Sequence, residues 1–391
     1  MVTLFFKFLG VNIGNDSTLP SHCLENLQNV VKHTKIDVVK NYTVSSEVQQ
    51  NFIKCLLDQM INKFEGKEKT SFILHKMYFN FDLCENESKK ISKLKKMAKV
   101  MLSENYNRNN LLVWSAYCDI LRKCGSQSEA KSVIGTALSM VNDKSQKHGH
   151  LKLYRMLTEL HLGISSGEND PPQSCDLVKA QNVLICFTED RNNVKDMTDI
   201  TSTTVLRSMK NLESQCDACI EEMTNLDKLK TLSKQDLGHI CETFIMYSLL
   251  EYSFGKNELE LATSVLEDAV KHLYEFLQEN NVDKLSTDKV KIVMENLLCY
   301  SIRLAKHHMT VNITPLSCLR NIVQHAMKIL PQNNYFLQVF VEIELRMYIS
   351  GRLDRYFSHV IRSEESPIPV IFAVYSILCR QSVIDKQLHQ G

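Results

Sequence analysis

The 391-residue sequence predicts an all-α protein, built as an irregular α-solenoid of stacked antiparallel helix pairs. Three observations carry that expectation. Glycine numbers only 12 and proline 7, well under the usual roughly 7% and 5%, which disfavours turn-rich sandwiches and barrels and favours long helices with short joints. Apolar residues recur at steps of three and four, the spacing of one helix face. One helix–turn–helix plan also returns along the chain, as in arrays whose units bury each other's exposed faces.

Amphipathic runs predict helices at about 2–9, 22–33, 46–64, 69–84 and 88–104. The first of these opens MVTLFFKFLGVNI, which has the apolar run of a signal peptide. Lys7 interrupts that run, however, no basic region precedes it and no small-residue cleavage site follows, so it reads as a core helix.

After Asn110, the residues Val113, Trp114, Tyr117, Ile120, Leu121 and Cys124 share one helical face, and Gly125 stops the helix. Ser126 and Glu129 have the spacing of a capping box, and the helix they open turns Ala130, Val133, Ile134, Ala137, Leu138 and Val141 inward. Further helices are expected at about 149–162, 176–188 and 202–232. The hairpin plan then returns. Phe244, Tyr247 and Leu250 lead to Gly255, Asn257 and Glu260 repeat the capping spacing, and Ala262, Val265, Leu266, Ala269 and Val270 follow. Helices at about 287–308 and 368–384 complete the set.

A looser third copy runs over 319–345, with Ala326 at the second small position, Pro331 as breaker and Val339 where Trp114 stands in the first copy. Ala130 and Ala137 are separated as Ala262 and Ala269 are, by two helical turns. Both small side chains of a pair therefore face one way and admit a neighbouring helix at two levels. Trp114, the sole tryptophan, sits opposite such a pair and reads as a buried wedge rather than an exposed stacking ring. The expected repeat-packing residues are thus Trp114, Tyr117, Ala130, Ala137, Phe244, Tyr247, Ala262, Ala269 and Ala326. Residues 1–391 are read as one helical-repeat array, with polar joints at 142–149, 165–174 and 188–203 expected to be mobile loops.

Lysine and arginine total 46 against 45 acidic residues, so no global field draws the protein to phosphate backbones or anionic membranes. Any RNA contact would have to be local. No apolar stretch reaches the roughly 20 residues needed to span a bilayer. The 13 cysteines are scattered through apolar helical patterns, as reduced buried thiols are. Cys216 and Cys219 in CDAC have metal-knuckle spacing but no second pair, and the histidines of 148–150 and 307–308 have no partner at ligand spacing.

Glycine-rich phosphate loops, nucleophile elbows and paired-histidine metal helices do not occur in the sequence. Catalytic, cofactor-binding and metal-binding residues are therefore expected to be absent, and a dispersed catalytic site would need a deep pocket with converging His, Asp and Cys side chains. The lysine-rich 88–99 reads as a solvated helix face. Arg346, Arg352, Arg355 and Arg362 stand among acidic residues and form a candidate interaction surface facing protein more than RNA.

The aromatic-x-x-Tyr of Trp114 and Tyr117 and the paired alanines Ala130 and Ala137 resemble half-a-TPR (HAT) repeats, a TPR-like class of RNA-processing proteins. FKFLGVNI at 6–13, NNLLVWSAYCDIL at 109–121 and FVEIELRMYISGRLDRYFSHVIRSEESPIPVIFAVYSILCRQ at 340–381 resemble the C-terminal portion of the nuclear RNAi-defective, or NRDE-type, family. That resemblance implies a nuclear scaffold with RNA-processing or silencing proteins as partners. It would act in RNA-guided silencing, heterochromatin formation, exosome-linked decay and splicing without catalysis. It also implies that the family's helicase-binding segment is absent and that this chain is a fragment, an incomplete gene model or a truncated paralogue. The alternative function is direct RNA binding through local basic surface.

Overall fold

The computed structural model describes residues 47–83, 87–140, 146–164, 175–189, 200–255, 259–280, 282–331 and 333–346. Among the described residues every regular element is helical. The helices expected at 2–9, 22–33 and 368–384, the joint 165–174, most of 188–203, and Asn257 lie outside the described residues, as do Arg352, Arg355, Arg362 and the side chain of Arg346. What is described falls into two compact units, divided between Leu297 and Leu298.

The first unit begins with α1 (Glu47–Lys63), α2 (Gly66–Asp82), α3 (Glu87–Ser103), α4 (Asn105–Arg108), α5 (Leu111–Lys123) and α6 (Gln127–Met140). It continues through α7 (Lys147–Leu162), α8 (Leu177–Thr188), α9 (Ser202–Thr224), α10 (Leu226–Thr231), α11 (Lys234–Phe254) and α12 (Leu259–Glu279) into α13 (Lys284–Val311). Sequence neighbours pack as pairs: α1 on α2, α5 on α6, α7 on α8, α11 on α12. One member of each pair then stacks on the next, α2 on α5, α5 on α7, and α7 on α11. The molecule is thus all-α and built from stacked helix pairs, as the periodicity predicts.

Local chemistry sets the joints. The Asn110 side chain accepts the Leu112 N–H and opens α5. At its end Gly125 takes a left-handed φ of 74°. Its N–H bonds to the Arg122 carbonyl and that of Ser126 to the Leu121 carbonyl, the paired closure of a Schellman motif. This corrects the capping box expected at Ser126 and Glu129. The Ser126 N–H is already used by Leu121, and the Glu129 carboxylate lies 2.7 Å from Lys95 Nζ. A capping box does form at Ser233 and Asp236, where side chain and backbone bond reciprocally at the start of α11.

The single helix expected over 202–232 is two, because Asn225 turns its side chain onto the N–H groups of Asp227 and Lys228 and starts α10 afresh. Helix α7 begins at Lys147, so the last residues of the joint expected at 142–149 are helical. Gly149 permits that start to lie against α5, for a Cβ there would stand 2.6 Å from Leu111 Cβ.

Ala130, Ala137, Ala262, Ala269, Tyr117 and Phe244 are buried, and Tyr247 is half-buried. Close approach at a small residue is visible where Ser248 Oγ donates to the Ala262 carbonyl at 2.7 Å. Trp114 is only half-buried, and its indole N–H donates to the Arg108 carbonyl at 2.9 Å. The indole nitrogen is thereby pinned to the turn before its own helix.

The second unit holds the rest of α13, with α14 (Leu316–Ile329) packed on α15 (Asn334–Arg346). Pro331 follows α14, and the Asn333 side chain accepts the N–H groups of Tyr335 and Phe336 to start α15. Ala326 and Val339 are buried.

Candidate functional site: a groove at the start of the stacked helices

A groove of about 1040 Å³ opens where α7 and α11 begin. Leu151, Tyr154, Phe187, Ala218 and Leu232 supply its apolar lining, and Lys147, His150, Gln215, Glu222, Lys228, Asp236 and His239 supply polar groups. The Tyr154 and Phe187 rings meet at 5.4 Å between centroids with their planes tilted by 53°, a favourable aromatic contact. Two lysines face two carboxylates, so the groove carries no strong field of either sign.

His, Asp and Cys do converge here, yet they are not linked into a catalytic array. Asp236 accepts from both the N–H and the hydroxyl of Ser233. Although burial opposes the charge, those bonds, Lys67 and His239 hold its carboxyl below the usual range. Burial is the main cause pushing the Cys219 thiol up to about 11, despite its hydrogen bond with Thr243, so it is a protonated thiol and not a nucleophile at neutral pH. Burial pulls His239 down, its Nδ1 has no hydrogen-bond partner, and the nucleophile–base bond that acyl-transfer chemistry requires is not formed to Cys219.

Beside the groove, α7 and α11 approach closely, since a Cβ at Gly238 would come within 2.5 Å of the His148 ring. Burial, aided by Lys152, His239 and Arg155 and opposed by Asp236, drives His148 down to about 3, leaving a neutral imidazole. Further along these helices lie four buried charges that sequence reading missed. Arg122 of α5 donates to Glu159 of α7 at 2.9 Å and to the Ile164 carbonyl at 3.1 Å. Arg155 of α7 bonds both Glu159 and Glu242, the latter through Nε and Nη2. Their side chains are 0–8% exposed. The available signal was four charged residues on otherwise apolar helix faces, which periodicity alone assigns to solvent.

Cys216 and Cys219 are buried free thiols on α9, and among the described residues no group of three or more His, Cys, Asp or Glu is arranged to hold a metal ion. Along 88–99, Lys95 is paired with Glu129, while Lys96 and Lys99 are exposed. No described helix is long and apolar enough to cross a membrane.

Stacked helix pairs that carry an open, charge-balanced groove define an all-α, solenoid-like chain among the described residues. Comparison with known proteins adds a relationship. The chain is 24% identical over 359 residues to the nuclear exosome regulator NRDE2 of Mus musculus, and 22% identical over 349 residues to that of Homo sapiens. These alignments cover 88% and 86% of this chain. The chain spans 29% of the length of each of these curated relatives. No family model matches the chain, and no solved structure does.

Proposed function

We propose that the chain is a non-catalytic nuclear scaffold or adaptor that takes part in regulating exosome-linked RNA decay. The observation that carries this reading is similarity along 88% of the chain to a protein named as a nuclear exosome regulator. The finer roles in RNA-guided silencing, heterochromatin formation and splicing belong to the same proposal, as do nuclear RNA-processing or silencing proteins as partners. The groove supports protein over RNA as the direct partner: an apolar, aromatic lining with balanced charge suits an amphipathic peptide segment, whereas a phosphate backbone wants uncompensated cations. The arginines 346, 352, 355 and 362 remain a proposed second contact surface, and the buried alanines and aromatics the proposed repeat-packing set.

Proximity labelling of the tagged chain in living nuclei tests the reading. Exosome, splicing or silencing factors should be enriched over a control protein of matched nuclear abundance. Recovery of none of them would remove the adaptor reading. Direct RNA binding through Lys96, Lys99 and their neighbours is the second reading, favoured by the exposure of those two lysines. It requires a salt-sensitive gel shift by purified protein, since each neutralised phosphate releases counterions. Free RNA at every protein concentration in low salt excludes it.

A further inference from the structure

We infer that the buried chain of alternating charges, Arg122–Glu159–Arg155–Glu242, is a register lock that fixes how α5, α7 and α11 stack, and so fixes the walls of the groove. Apolar helix faces tolerate sliding, because one leucine packs almost as well as its neighbour one turn away. Buried charges do not, since each needs its partner at hydrogen-bonding distance in the correct direction. Here that requirement is imposed twice on α7. Glu159 takes Arg122 on one oxygen and Arg155 on the other, and Arg155 in turn spans both oxygens of Glu242.

A slip of one turn along α11 would set the Arg155 guanidinium against Ile245 and Met246, both buried and apolar. It would also leave Glu242, almost wholly enclosed, without a cation. A slip of α5 would take Arg122 from both Glu159 and the Ile164 carbonyl. The lock thus acts by penalising the alternatives, which is the best-attested role of buried ionic groups. The consequence reaches the groove because Arg155 follows Tyr154 and Glu242 precedes Thr243, two of its lining residues.

The test uses the full chain and reads structure, so its outcome is independent of the adaptor reading. Methionine methyl NMR reports on Met156 of α7 and Met246 of α11, both buried beside the lock, with Met77 of α2 as a remote buried control. Replacing the four charges by leucine (Arg122→Leu, Arg155→Leu, Glu159→Leu and Glu242→Leu together) should keep the helix content. Met156 and Met246 should each split into several resonances, with Met77 remaining single. A fully apolar variant that folds with single, sharp Met156 and Met246 resonances overturns the inference. If that variant does not fold, Glu242→Gln decides, because it keeps the shape and removes the charge. Doubled or exchange-broadened Met156 and Met246 signals then support the lock, and single signals at their original positions overturn it.

Discussion

Helices α11 and α12 form one hairpin of equal-length helices, yet they are built on opposite terms. Along α12 the eight buried residues run Leu259, Ala262, Thr263, Leu266, Ala269, Val270, Leu273 and Phe276, one clean stripe with solvent on the other side. Along α11 thirteen residues are buried, among them Glu242, Thr243, Ser248 and Ser253, because α7, α8, α9 and α12 pack around it. The same contrast separates α7 from α8. The stack therefore has enclosed helices, where polar groups must find partners inside the protein, and flanking helices, where half the surface is simply wet. Specific geometry is concentrated in the first kind.

That difference can be broken most severely at the enclosed charges. Glu242→Ala leaves the Arg155 guanidinium buried with one partner removed, and chemical denaturation should show a loss of about 3–5 kcal/mol. Trp114→Ala sharpens the contrast on a helix nearer the edge. A fully buried tryptophan would cost about 3–5 kcal/mol, but this ring is half-buried, so a loss of about 2 kcal/mol by the same assay is expected.

Acid should act on the enclosed helices through their histidines. His148 and His161 are pulled down to about 3 and about 4, chiefly by burial, and His239 is lowered for the same reason. Unfolded, each binds a proton near pH 6.5, so between pH 6.5 and about 4 the unfolded state holds more protons and stability falls as pH falls. Each histidine contributes a slope of up to about 1.4 kcal/mol per pH unit in that window. Urea midpoints measured across the range should decline, and His148→Gln should flatten the decline. The smallest effect belongs to a wet pair: Lys95→Ala removes the exposed bridge to Glu129 and should change stability by about 0–1 kcal/mol.

The same contrast explains what could be read from the chain alone. The stripe of α12, the paired alanines and the stop at Gly125 follow from spacing and backbone chemistry within a few residues, and the all-α architecture follows from them. Enclosed helices blur that signal. When a helix is covered on several sides, Glu159 or Glu242 looks like an ordinary solvent-facing charge, because its partner lies 37 residues away for Arg122 and Glu159, and 87 for Arg155 and Glu242. The groove was equally hidden, being assembled from α7, α8, α9, α10 and α11. The break at Asn225 was missed for a local reason: asparagine inside an apolar pattern is tolerated in helices, and only its side-chain direction turns it into a cap. For Trp114, periodicity gives the face the ring occupies and not how completely neighbours cover it.

The adaptor reading is tested most directly by repeating nuclear proximity labelling with the groove filled. Ala218 is an exposed groove residue on α9, so Ala218→Arg occupies the space without disturbing the buried charges. With equal abundance and melting temperature, this variant should lose at least half of the RNA-processing factors that the unaltered chain labels. An unchanged set of labelled factors would contradict the groove as the adaptor's contact surface.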